Sequence, residues 1–161
     1  MPAQPMNREH LRPSTRLLVL GYGNTLRRDD GVGPRVADVV AELNLPGVQT
    51  LACPQLTPEL AEPISQAQVV IFVDAAVDLP REVRRRKLTP ATSSQLLAHA
   101  ADPQTMLALA RDVFGHAPEA WWLTIPAEDL GFGEDLSASA QAGLQTALEQ
   151  IQALARQHPG G

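Results

Sequence analysis

The stretch Leu17–Gly33, LLVLGYGNTLRRDDGVG, joins an apolar run, a glycine turn and an acidic pair without a spacer. Leu17 to Leu20 suit a strand buried on both faces, and Gly21 and Gly23 let the backbone turn sharply and approach a ligand closely. Asp29 and Asp30 follow in the loop. A helix over Pro34–Leu43 is predicted next, from the apolar spacing of Val32, Val36, Val39, Val40 and Leu43.

Outward from this unit, Val48–Cys53 reads as a second strand. Thr57 is expected to cap a short helix over Pro58–Ser65, limited by Pro63. Val69–Val73, the most β-branched run, reads as a central parallel strand with Asp74 at its C-terminal end. Arg81–Leu88 is expected as an exposed strand anchored by Val83 and Leu88, followed by a loop, Thr89–Ser94, and a turn or loop at Gln95–His99. Asp102 caps a helix to about Phe114, with Met106, Leu107, Leu109, Ala110 and Val113 available for burial and Gly115 ending it. Trp121–Ile125 is the last strand, and Ser137 opens a helix to about Gln157.

Strands alternating with helices imply an α/β fold with a mainly parallel sheet of about five strands, covered on both sides. Ligands of such sheets bind beyond the C-terminal strand ends, where Asp29, Asp30, Asp74 and His99 can converge.

With 161 residues, 44% hydrophobic and 19% charged, the chain fits one domain over residues 16–158, preceded by a loose tail over 1–15. The net charge of −5 argues against a nucleic-acid surface. No run approaches the ~18 apolar residues of a membrane span, and Met1–Ser14 is polar where a signal peptide would be apolar. A single cysteine, Cys53, rules out an internal disulfide and any Cys-based metal cage, which fits a cytoplasmic location.

Gly21-Tyr22-Gly23 invites a dinucleotide reading, but Leu26 occupies the third glycine position and the acidic pair would repel a pyrophosphate. A phosphoacceptor receiver domain needs a lysine beside its carboxylates, and Lys87 is the only lysine; the same scarcity removes a P-loop. GxSxG, HExxH and the aspartic-protease triplets are absent. Cys53, without a neighbouring His in sequence, reads as a packed residue. Two carboxylates and an imidazole, Asp30, Asp74 and His99, form a mixed donor set suited to nickel, zinc or manganese. The plain alternatives are a helix cap at Asp30, backbone hydrogen bonds at Asp74 and a surface position for His99. His10, His116 and His158 are expected to be solvated. Arg84-Arg85-Arg86-Lys87 reads as the charged face of an edge strand, or as a dock for an acidic partner surface.

Taken together, LVLGYGNTLRRDDGVGPRV, QLTPELAE and VIFVDAAV resemble the hydrogenase maturation endopeptidases, whose hallmark is a GxGNxLxxD[DE]GxG loop followed by an Asp at a strand end. The likeness continues through AHAADPQTMLALARDVFG and LTIPAEDLGFGEDLS and spans nearly all of Leu17–Arg156. It implies a three-layer α/β/α fold and a protease that removes a C-terminal peptide from the large-subunit precursor of a nickel–iron hydrogenase after nickel insertion. It further implies that Asp30, Asp74 and His99 contact the metal and carry the catalysis, with Asp29 as a second candidate. Gly21, Gly23, Asn24, Gln55 and Thr57 fall in the substrate-binding segments. The nickel is expected to be carried by the substrate, with no organic cofactor and neither nucleic acid nor membrane as partner. The alternative is a module of the same fold that binds metal or precursor without cutting it. Two departures stand out: some members have Glu at the position of Asp30, and many carry Gly-Gly-Thr where this chain has Cys53-Pro54-Gln55-Leu56-Thr57, which, if that segment positions the substrate tail, points to a different tail or a different hydrogenase subgroup.

Overall fold

The computed structural model describes residues 15–78, 81–92 and 102–158. The tail expected over 1–15, apart from its last residue, and the turn at Gln95–His99 lie outside the described residues. Five strands are described: β1 (Thr15–Tyr22), β2 (Val48–Cys53), β3 (Ala67–Ala76), β4 (Arg84–Leu88) and β5 (Glu119–Pro126). They form one sheet in the order β2-β1-β3-β5-β4, parallel except for β4, which runs antiparallel to β5 at the edge.

Helices α1 (Val32–Glu42), α2 (Ala61–Ser65), α3 (Pro103–Phe114) and α4 (Ala138–Gln157) cover both faces. The alternation along β1 divides the core. Leu17 and Val19 join Val69, Ile71, Val73, Leu123 and Ile125 under α1 and α4, while Leu18 and Leu20 join Val70, Phe72 and Ala120 under α2 and α3. Each fully buried Leu, Ile or Phe contributes roughly 1.5–3 kcal/mol, so the near-continuous apolar strands are what a sheet buried on both faces requires.

Local chemistry sets the ends. The Asp102 side chain accepts from Thr105 N at 2.8 Å, and Gly115 ends α3 in the left-handed region at φ 84°. Ser137 caps α4 by accepting from Ala140 N at 3.2 Å. Gly143 lets α4 lie close on the sheet, because a Cβ there would meet Ile125 Cγ2 at 2.6 Å.

Several expectations are revised. The segment Pro58–Ser65 is a 3-10 turn over Pro58–Leu60 followed by the five-residue α2, and the Thr57 side chain makes no capping bond there. Val113 is exposed on α3, which instead buries Ala108, and Leu43 lies past the end of α1 and is exposed. His116 and His158 are half-buried and partnered, by Ala67 O at 3.1 Å and Glu119 Oε2 at 3.3 Å, because both fold back onto sheet strands. No described helix is long and apolar enough to cross a membrane.

Candidate functional site

From β1 the chain moves one way to β2 and then back past β1 to β3. The C-terminal ends of β1 and β3 therefore flank a point where strand order reverses, the usual place for a ligand crevice in an open α/β sheet. The sequence-predicted acids lie there.

The β1–α1 loop is built on glycine. A Cβ at Gly21 would lie 2.0 Å from Gly33 O, and one at Gly33 would lie 2.4 Å from Val73 O. Gly23 has φ 144°, and a Cβ there would meet Asp30 O at 2.0 Å. The close approach that these glycines permit is thus to the chain's own backbone, which pins the start of α1 against the ends of β1 and β3. Asn24 Oδ1 accepts from Leu26 N at 2.9 Å, and Asn24 N donates to Asp30 Oδ2 at 2.8 Å. Asp30 thereby closes the glycine turn instead of capping α1.

The two adjacent aspartates have separate fates. Asp29 is fully buried. It accepts from Glu128 N, Asp129 N, Ser137 N and Ser137 Oγ at 2.8, 3.0, 2.8 and 2.7 Å. Burial alone would push its pKa up, but these bonds together outweigh burial and hold it below the ordinary value. The expectation of a catalytic Asp29 is corrected: with both oxygens engaged and no exposure, it clasps the β5–α4 connection to the first loop. Arg28, at φ 46°, completes the clasp through Arg28 N to Gly133 O at 2.8 Å and an ion pair with Asp129 at 3.5 Å.

Asp30 and Asp74 are half-buried, on the loop and on β3. The Asp74 carboxyl is raised to about 6: burial pushes it up, the Ala75 N–H (2.8 Å) and the Tyr22 hydroxyl partly offset this, and the negative charge of Asp30 adds a smaller upward push. The charge of Asp30 is therefore felt at Asp74. Tyr22 was not anticipated as a site residue; its phenol is pushed far up, by burial first and then by Asp74, to which it hydrogen bonds, with a smaller push from Asp102. The register would have found it, since Gly21 pairs with Val73 and the next residues on both strands are Tyr22 and Asp74. Asp102 reaches the same side from the start of α3.

Gln55 is exposed and Thr57 half-buried just after β2, next to the glycine turn, where Gly23 N donates to Cys53 O at 3.1 Å. Burial raises the Cys53 thiol, which keeps it protonated and unsuited to nucleophilic attack. His99 lies outside the described residues. Among the described residues, no group of three His, Cys, Asp or Glu side chains is gathered as a metal site. A cleft of about 1060 Å³ opens at the same sheet edge between Val77, Val83, Glu128 and α4, on the face away from Asp74.

No family model and no curated protein sequence matches the chain significantly. Solved structures do. The maturating endopeptidase HybD from E. coli superposes with a TM-score of 0.71 at 22% identity, over 89% of this chain and 93% of that one. The NiFe hydrogenase maturation protease HybD from Thermococcus kodakarensis gives 0.65 at 24% identity, over 88% and 99%. HycI from the same organism, also a maturation protease, gives 0.69 at 20% identity, over 88% and 93%. The chain thus has the fold of the hydrogenase maturation proteases over nearly their whole length.

Proposed function

We propose that this protein is a hydrogenase maturation protease, which removes the C-terminal peptide of a nickel–iron hydrogenase large-subunit precursor in the cytoplasm. The observation that carries this reading is the placement of Asp30 after β1 and Asp74 at the end of β3, at the strand-order reversal of a fold shared with maturation proteases.

In this reading, Asp30, Asp74 and His99 recognise nickel already seated in the precursor, so the metal licenses cleavage as part of the substrate. Asp74 is mostly ionised near neutral pH, and the Tyr22 hydroxyl favours that ionised form. A carboxylate so held serves as a metal ligand, or takes a proton from the water that attacks the scissile carbonyl. The C–N bond then breaks, and the amine of the released peptide gains the proton. Asn24, Gln55 and Thr57 border the path of the substrate tail, and Gly21 and Gly23 shape the turn that carries Asn24.

The test compares extended large subunit with and without nickel and follows product size. Cleavage of the nickel-loaded form alone is expected, and the variant His99→Ala should leave it uncut. Equal cleavage of both forms would sink metal inspection. Tight binding of the loaded precursor without any cleavage would favour the non-cutting module.

A further inference from the structure

We infer that the outer edge of β4 is a dock for an extended, acidic segment of a protein substrate, added to the sheet as a further strand. Among the described residues, β4 pairs with β5 only, and its other side has no strand neighbour. Arg84, Arg85, Arg86 and Lys87 are all exposed, in a chain of net charge −5. Among the described residues, none has an acidic partner within ion-pair distance.

Three of these cations are also held in place. Arg85 and Lys87 lie over the Trp121 ring, at 4.9 and 5.6 Å from its centroid, and Arg86 lies over Trp122 at 5.0 Å. Stacking holds the guanidinium and ammonium groups themselves against the rings while the side chains remain exposed, so less side-chain entropy is lost when an anion arrives. Arg84 and Arg86 serve the Asp74 face and Arg85 and Lys87 the other, so the edge offers paired cations to both sides of an incoming strand.

Charges on an edge strand also prevent unwanted pairing, and here the two effects agree. A second copy of β4 would set four like charges against four, whereas an acidic strand meets the open main-chain groups with complementary charge. A nucleic acid could answer the charge but not the main-chain groups, and the negative net charge disfavours it.

The position suits delivery to the site. Arg84 and Asp74 both align with Thr124, so they lie level across the sheet. At ~5 Å per strand spacing, a strand added to β4 lies roughly 15 Å from β3, a distance spanned by about four or five extended residues. That the bound segment belongs to a hydrolysed substrate rests on the protease reading; the preference of the edge for an acidic strand does not.

The test uses fluorescence anisotropy with a labelled octapeptide, Thr-Glu-Glu-Val-Glu-Glu-Val-Thr, which carries no cleavage site, so failure of this inference is seen separately from failure of the protease reading. Its comparators are the Lys-for-Glu peptide, an acidic copy N-methylated at alternate amides, and an oligothymidylate of equal length. The acidic peptide should bind and protect β4 amides from hydrogen exchange. Binding should weaken roughly ten-fold in Arg84→Gln/Arg86→Gln, and also in the unmodified protein at about 300 mM salt. The N-methylated copy should not bind. Failure of the acidic peptide to bind, equal binding of the basic or N-methylated peptide, or tighter binding of the oligothymidylate, would overturn the inference.

Discussion

Asp29 and Asp74 are carboxylates of one protein under opposite regimes. Around Asp29 four donors converge on a fully buried group and its pKa falls; around Asp74 burial prevails over two donors, a like charge stands nearby, and its pKa rises to about 6. The first arrangement holds the ionised form and stabilises the fold. The second strains the ionised form and leaves a carboxylate that binds a cation or a proton readily, as reactive sites often do. Asp29 meets four N–H and O–H donors where Asp74 meets two.

The largest expected effect is on the Asp29 side. Asp29→Ala removes the shared acceptor of three backbone N–H groups and a hydroxyl, at a cost of about 3–5 kcal/mol and a fall in Tm on the order of 10 °C, readable by denaturant and thermal unfolding. Because its folded pKa is lowered, the stabilisation by Asp29 is present above the ordinary carboxylate range and lost as pH falls through the folded value. A Tm unchanged in Asp29→Ala would break the contrast.

Asp74→Asn should act in the reverse sense. The folded pKa is raised, so the folded metal-free protein binds the proton more tightly than the unfolded chain, and stability declines between about pH 4 and 6 as pH rises. Removing the charge should stabilise the protein by roughly 1–3 kcal/mol at pH 7–8, with the gain vanishing below about pH 4. Precursor processing should be lost at the same time. Asp74→Asn that destabilises at pH 8 would contradict the strained carboxylate.

The smallest effect sharpens the boundary between the two regimes. Tyr22→Phe removes one of the donors that draw Asp74 down, so the Asp74 pKa should rise further and the acid limb of processing activity should move to higher pH, with little change in Tm. A pH profile that does not move would detach Tyr22 from the site.

Much of the fold was legible because it rests on local pattern. Val48–Cys53 appears as β2 with the expected bounds, and Asp102 and Ser137 cap α3 and α4 as their side chains predict. Other features depended on partners far away in sequence. Nothing in RRDDG distinguishes Asp29 from Asp30, since the donors to Asp29 come from Glu128, Asp129 and Ser137, about a hundred residues on. The basic run of β4 looked like a solvated edge until pairing with β5 placed Trp121 and Trp122 under its side chains.

By itself the sequence determined which segments are strands and helices, because periodicity, caps and glycine turns act over a few residues. It also determined that acids follow β1 and end β3. Only the tertiary structure decided which acid is which, because the pKa and role of a carboxylate depend on the donors and charges that the fold gathers around it.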